Sequence, residues 1–276
     1  MPRLAYTCRV PVDVAAGVLS NTHLSSDYNV LRIAAPEIAN AALPGQFVMV
    51  KTGDRLEPLL RRPFSIFEVL EDGGEIVGIS LLSKRIGPST TLLFDAKPGD
   101  RIQCLGPLGR PFAPVSSPDE AWLVAGGVGL APFATLAQSL RRRNVTVRLY
   151  YGARQASELF YLDFFERLGV HLELSTEDGS RGAHGRVTMP LERDLKTRPG
   201  GSKMIYACGP EPMLAAVARV AAQYSTPAQV SVERVMGCGV GGCYSCVIPV
   251  RTGGKPHYVR SCLAGPVFRA EEIEWH

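Results

Sequence analysis

The sequence predicts an α+β chain of several domains: an antiparallel β-barrel, a parallel α/β domain and a small cysteine-rich module at the C-terminus. Three observations carry this prediction. Up to about residue 110 the chain reads as strand-like runs separated by turns. From about residue 120 short apolar runs alternate with amphipathic ones, the mark of strands and helices laid into a parallel sheet. From about residue 230 both patterns stop, and three cysteines and four glycines fall within GCGVGGCYSC, 237–246. The expected boundaries are 1–114, 115–229 and 230–276.

In the barrel, QFVMVKT, LRRPFSIFEVL and EIVGISLLS are rich in β-branched and aromatic residues. EDGG at 71–74 supplies a hairpin turn, and PGD at 98–100 introduces the strand RIQCL. GPSTTLL at 87–93 can open a helix whose first N–H groups, with Ser89 and Thr90, would cradle a pyrophosphate. APVSSPDE, 113–120, reads as a linker. The second domain then gives WLVAG as a strand, APFATLAQSLRRR as a helix and VTVRLYYG as a strand. SELFYLDFFERLG follows as a helix, VHLELS and KMIYACG as strands, and EPMLAAVARVAAQY as a helix opened by Pro212.

Composition excludes several classes. The net charge is +4 and spread out; its densest cluster, RRRN at 141–144, reads as a solvated helix end rather than a nucleic-acid surface. No apolar run reaches about 18 residues, because glycine and proline interrupt LVAGGVGLAPFATLA. Arg9 and Asp13 break the N-terminal run, so no signal peptide is expected. Seven cysteines without a secretion signal point to metal or redox use in a reducing compartment, the cytoplasm. His23, His171, His184, His257 and His276 are scattered without acid or nucleophile companions, so organic substrate chemistry is expected on a partner.

Four motifs carry chemistry. Cys238, Cys243 and Cys246 form C-x4-C-x2-C, with Cys262 downstream, the spacing of plant-type 2Fe–2S loops. Zinc sites prefer two C-x2-C knuckles or added histidines; one such pair is present here, so zinc and unrelated buried thiols are the competing readings. In RRPFSI, Arg62 is either a surface arginine on a strand or a guanidinium matched to a flavin pyrophosphate. In the second case Phe64 makes apolar contact and Ser65 sits at the reactive edge of the isoalloxazine. AGGVGLAP, 125–132, is a strand–turn–helix glycine turn, for a dinucleotide phosphate or for helix packing; it is not G-x-G-x-x-G, and the next strand ends in YGAR rather than an acid. Cys208 ends a strand where open α/β sheets bind ligands, or is a buried structural thiol.

In this order, RPFS, GGVGLAP and CGPEPM resemble the ferredoxin–NADP reductase superfamily. YACGPEPML, VERVMGCGVGGCYSC and VRSCLAGPVF narrow the resemblance to the electron-transfer subunit of type B dihydroorotate dehydrogenase. It spans essentially the whole chain; the C-terminal motifs are specific, the barrel motifs superfamily-level. The resemblance implies FAD on the barrel, NAD(H) on the α/β domain and a 2Fe–2S cluster in the C-terminal module. It assigns Arg62, Pro63, Phe64 and Ser65 to FAD, with Gly87, Ser89 and Thr90 on its phosphates. Gly126, Gly127 and Gly129 would face the dinucleotide, and Cys208, Gly209 and Pro210 the nicotinamide, with Ser65 and Cys208 as the catalytic pair. Cys238, Cys243, Cys246 and Cys262 would ligate iron.

The implied role is electron transfer between NAD and a catalytic dehydrogenase subunit, an FMN-containing dihydroorotate dehydrogenase of pyrimidine biosynthesis, in a heterotetramer. A flavin must lie between a two-electron hydride donor and a one-electron cluster. The layout also resembles the small subunits of electron-bifurcating NAD(P)H-dependent ferredoxin reductases and the flavin subunits of some hydrogenases. A one-chain oxygenase reductase would need a fuller ferredoxin domain than the last ~45 residues provide. A non-catalytic zinc-binding module is the alternative of another class. Two departures from relatives stand out: Arg110-Pro111 after GPLG, and Tyr244 inside the cysteine loop. NAD is expected over NADP from the resemblance alone; Arg154 is the cation that would matter to a 2′-phosphate.

Overall fold

The computed structural model describes residues 10–52, 57–113 and 119–275. The expectation about a signal peptide and most of the linker 113–120 fall outside these residues.

The first sheet contains β1 (Val12–His23), β2 (Tyr28–Ala34), β3 (Phe47–Thr52), β4 (Arg62–Ser65), β5 (Glu68–Asp72), β6 (Glu75–Lys84) and β7 (Arg101–Leu108). Its order is β4-β3-β7-β1-β2-β6-β5, antiparallel throughout. The run LRRPFSIFEVL is two strands rather than one. Between them Ile66 N–H donates to Gln46 on one edge and Phe67 N–H donates to Ser80 on the other, so the chain crosses from edge to edge and curls the sheet into a half-barrel. Strand alternation fills the interior with Val48, Val50, Ile33, Leu31, Ile79 and Leu81, all buried. Asn21 donates to the carbonyls of Leu93, Phe94 and Ala96, fastening the end of the helix Pro88–Phe94 to the sheet.

The second sheet contains β8 (Glu120–Gly126), β9 (Thr146–Ala153), β10 (His171–Thr176), β11 (Ala183–His184), β12 (Lys203–Cys208) and β13 (Ala228–Ser231), all parallel. Its helices are α1 (Phe133–Arg142), α2 (Leu162–Arg167), α3 (Thr188–Thr197) and α4 (Glu211–Gln223). In α4, Leu214, Val217, Val220 and Ala221 are buried at helical spacing. The helix expected over 157–169 is shorter. Tyr161 adopts φ +61° and confines regular helix to Leu162–Arg167. That kink turns Phe160 and Tyr161 toward the barrel, where they meet Tyr28 and Phe67 at centroid distances of 4.9 and 4.7 Å.

The barrel and the sheet share one apolar interface. Phe112 packs on Phe133 and Tyr206. Buried Gln229 both accepts from and donates to the backbone of Ala113, standing in for a strand neighbour.

The C-terminal module joins both domains. Its hairpin is β14 (Val247–Thr252) with β15 (Lys255–Arg260). β16 (Val267–Arg269) then adds antiparallel to β13 at the edge of the second sheet. Ile248, Val250, Phe268 and Ile273 pack into the α/β core, while Met236, Cys246 and Cys262 pack on Phe47, Met49 and Leu108 of the barrel.

Candidate redox site between barrel, sheet and cysteine loop

The strand order around the second sheet is β11-β10-β9-β8-β12-β13-β16. The chain moves outward from β8 in one direction and then returns to start β12 on the other side. A crevice opens at the carboxyl ends of β8 and β12, the switch point where open α/β sheets take ligands. Both glycine turns lie there. Gly126 ends β8, Gly127–Leu130 forms a 3-10 turn, and Cys208–Gly209–Pro210 follows β12.

These glycines divide the work. A Cβ on Gly129 would overlap the backbone carbonyl of Cys208, and one on Gly126 would meet Met213 Sδ at 2.7 Å and Pro210 Cδ at 3.0 Å. Gly126 and Gly129 therefore let two backbones touch. Gly127 is different: it adopts φ +54° and faces open space. Gly126 and Gly129 fit the packing reading of AGGVGLAP, and Gly127 leaves space at the turn.

Cys208 is buried at the floor of the crevice, opposite Ser231 on β13. Burial pushes its thiol well above the ordinary range, and the Glu233 carboxylate adds to the rise, while a hydrogen bond from Ser231 offsets part of it. Glu233, whose own carboxyl is raised by desolvation, was not foreseen from sequence; nothing in VSVER marks it. Cys104 is likewise raised, to about 12, by burial in the barrel core, where it only packs.

On the barrel, β4 is the edge strand, with Arg62 opposite Val50, Pro63 opposite Met49, Phe64 opposite Val48 and Ser65 opposite Phe47. Phe64 leans against the barrel core. The half-buried Arg62 guanidinium donates to the carbonyls of Leu60 and Arg61, at 3.3 and 3.2 Å. No carboxylate among the described residues neutralises it; its neighbour Arg61 is the one bound to Asp13. An uncompensated guanidinium on a sheet edge suits a phosphate-bearing ligand. Gly87 precedes the helix Pro88–Phe94, and the Thr90 hydroxyl accepts from Ile86 and Gly87 N–H at 2.8 and 3.0 Å. That hydroxyl is committed to shaping the turn, which leaves the first-turn N–H groups as the donors.

The four cysteines come together as two pairs. Cys243 lies against Cys238, and Cys262, in the short helix Ser261–Ala264, lies against Cys246. A tetrahedral zinc site gathers its donors around one centre. A two-iron cluster takes two thiolates on each iron, a donor set that these two pairs fit. Ser245, 3.1 Å from Cys243 Sγ, holds that exposed thiol down to about 6, and burial pushes the Cys262 thiol up to about 12. Gly242 N–H donates to Cys238 Sγ at 3.2 Å, and Gly237 N–H to Ser245 Oγ at 2.9 Å. Ser245 was not foreseen, although its place inside C-Y-S-C was a signal.

The cysteine loop sits on the barrel beside β4. Gly239 (φ +73°) has its Cβ direction filled by Met49, whose Sδ lies 3.0 Å away, and Met49 is paired with Pro63. The unusual Arg110 belongs to the same joint: its N–H donates to the Gly265 carbonyl at 2.5 Å and it bridges Pro266. Both contacts are made by the backbone, and nothing in the structure explains the arginine side chain at this position. His23 stacks on Phe94 at 3.9 Å and bonds its carbonyl, a structural contact at the end of the helix Pro88–Phe94.

Comparison with known proteins agrees with this geometry. Residues 233–274 match the family model for the iron-sulfur cluster binding domain of dihydroorotate dehydrogenase B, and residues 123–219 match an oxidoreductase NAD-binding domain. The electron transfer subunit of dihydroorotate dehydrogenase B (NAD(+)) from Desulforamulus reducens is 37% identical over 241 residues, covering 87% of this chain and 90% of the relative. The subunit of the same name from Bacillus caldolyticus is 40% identical over 233 residues, covering 83% and 86%. Among solved structures, a chain of an NADH-dependent reduced ferredoxin–NADP oxidoreductase superposes with TM-score 0.82 at 27% identity, over 95% of this chain and 90% of that one. A ferredoxin NADP+ reductase from Neisseria gonorrhoeae with bound FAD and NADP shares the fold, with TM-score 0.64 at 18% identity over 78% and 92%.

Proposed function

This chain belongs to the family of electron-transfer subunits of dihydroorotate dehydrogenase B (NAD(+)), and on that footing we propose that it carries electrons between NAD(H) and a catalytic, FMN-containing dihydroorotate dehydrogenase subunit. It is an oxidoreductase subunit whose cofactors are FAD, a 2Fe–2S cluster and NAD(H). When bound, nicotinamide exchanges a hydride, the cluster exchanges single electrons, and the flavin does either.

The residues then take these roles. Arg62 pairs with the flavin pyrophosphate, joined by the turn at Gly87, Ser89 and Thr90. Pro63, Phe64 and Ser65 line the flavin from β4. Gly126, Gly127 and Gly129 admit the dinucleotide at the switch point, and Cys208, Gly209 and Pro210 form the nicotinamide floor. Cys208 keeps its proton on Sγ at neutral pH, so it serves as a neutral contact rather than a nucleophile. Ser65 and Cys208 are the two groups assigned to the reacting atoms. Cys238 with Cys243, and Cys246 with Cys262, hold one iron each.

The observation that carries this reading is the seat of the cysteine loop on Met49, next to the strand that bears Arg62 and Ser65. It supports a cluster beside the flavin strand, with Val240 and Tyr244, about half or more exposed, as surface for a partner. We assign the assembly to a heterotetramer in pyrimidine biosynthesis, and its compartment to the cytoplasm on cysteine usage. No helix among the described residues is long and apolar enough to cross a membrane.

The test is anaerobic. The purified chain should show flavin and iron–sulfur absorbance, bleach with NADH and give a rhombic 2Fe–2S resonance signal. A colourless chain holding one zinc would overturn the proposal. The likeness to the bifurcating reductase chain supports one other reading, delivery to a ferredoxin-linked partner. Co-purification decides between the two partners.

A further inference from the structure

We propose that Arg260 is a positioning residue that raises the redox potential of the cysteine loop through one peptide unit, the bond between Gly241 and Gly242; this rests on the 2Fe–2S reading above. Arg260 ends β15, two residues before Cys262. Its Nη1 donates to the Gly241 carbonyl at 2.6 Å. The N–H of that same peptide belongs to Gly242 and donates to Cys238 Sγ at 3.2 Å. A trans peptide is planar, with C=O and N–H directed oppositely. The guanidinium therefore sits at the oxygen end of a peptide dipole whose hydrogen end meets a cysteine sulfur. The backbone of Gly241 itself faces Cys262. The segment Gly241–Gly242 thus meets one sulfur from each pair, and a single cation holds it.

The rest of the loop keeps the cation in place. The Tyr244 ring lies 4.6 Å from the guanidinium, and Tyr244 adopts φ +60°, uncommon for a residue with a side chain. Gly241, at φ +84°, holds a backbone conformation that a side chain would strain, and its Cβ would crowd the exposed Leu263, whose Cδ1 would lie 2.5 Å away. The partners of Arg260 are a carbonyl and an aromatic face, and none among the described residues is a carboxylate. Its charge is permanent and uncompensated. Reduction by one electron, drawn from the pair NADH supplies, adds one negative charge to the site with no proton taken up. A fixed cation relayed through a polarised N–H favours that form, and charge and hydrogen bonds to sulfur are known controls of cluster potential.

The test is a dye-mediated potentiometric titration of the purified holo-chain, followed by electron paramagnetic resonance, with iron, sulfide and flavin counted per chain. Arg260→Gln should keep the wild-type iron and sulfide content. Its ratio of reduced to oxidised cluster at a fixed potential should fall about tenfold, a midpoint ~59 mV lower for a one-electron couple. Arg260→Lys, which keeps charge but loses the fork, should fall by less. Equal midpoints in wild type and Arg260→Gln, with equal iron, would overturn the relay and leave the cluster reading intact. If Arg260→Gln does not fold, Arg260→Met, which keeps the stem and removes the charge, is read instead, and a wild-type midpoint there overturns the relay. A wild-type chain with zinc and no sulfide would sink the cluster reading first, and this inference with it.

Discussion

The backbone of Gly129 lies so close to Cys208 that a side-chain carbon at 129 would stand 2.5 Å from the Cys208 carbonyl carbon and 2.7 Å from Gly209 N. Both neighbours are backbone, so neither can rotate away. The two turns at the switch point are one unit, and the gap between them is set by a missing methyl group.

Gly129→Ala should therefore push the turns apart. Overpacking of this kind costs about 1–3 kcal/mol, and a chain of this size loses roughly 2–4 °C of melting temperature per kcal/mol. NADH affinity should fall with it. Gly127→Ala is the control: its Cβ meets nothing within 4 Å, and only the left-handed backbone is strained, at about 1–2 kcal/mol. Calorimetry and NADH titration check both. An unchanged melt and affinity in Gly129→Ala would detach this turn from the dinucleotide site.

Arg62→Ala should weaken flavin retention. A charge-assisted bond of this kind contributes about 1.5–3 kcal/mol, so roughly 10- to 100-fold in affinity. Arg62 has no carboxylate to leave stranded, so the fold should persist. Flavin content after gel filtration is the readout. A wild-type ratio would remove Arg62 from the site.

How much of this was legible in the sequence depends on how local each feature is. The cysteine loop was, because C-x4-C-x2-C encodes its own turn and Cys262 is tied back through a short hairpin. The parallel sheet was, because each strand–helix unit carries its own period. The split of LRRPFSIFEVL was not: the break at Ile66 and Phe67 exists only because two distant edges claim those N–H groups. Nor was the shortened helix at 157–169. Its apolar residues fit a helix face, but Tyr28 and Phe67 of the barrel recruit them. Arg260, Ser245 and Glu233 act through contacts that spacing does not encode. The strands β14, β15 and β16 are short, and β16 gains its identity only by pairing with β13.

Cys208 should resist alkylation. Burial, with Glu233 adding negative charge, raises its thiol above the ordinary range of a cysteine, so the native state binds that proton more tightly than the unfolded chain. Its contribution to stability is complete below about pH 9 and is lost as pH rises beyond. Iodoacetamide should label Cys208 far more slowly than the unfolded chain across pH 6–9, read by peptide mass spectrometry. Rapid labelling at neutral pH would mean an open, ionised thiol and a different role in the crevice.

Cys243→Ser separates the two halves of the circuit. Cys243 is exposed, paired with Cys238 and bonded to Ser245, while its loop rests on the barrel through Gly239 and Met49 rather than through Cys243 itself. The substitution removes one of two thiolates from one pair without touching the packing that holds the loop. The flavin strand and the switch-point crevice lie on other elements, β4, β8 and β12. NADH should still bleach the flavin at close to the wild-type rate, while the 2Fe–2S resonance signal and transfer to the partner disappear. Stopped-flow absorbance at the flavin band measures the first, and the frozen-solution spectrum of the same sample measures the second. Loss of NADH-driven bleaching in a folded variant would place the cluster between NADH and the flavin, and the order of carriers proposed here would have to be reversed.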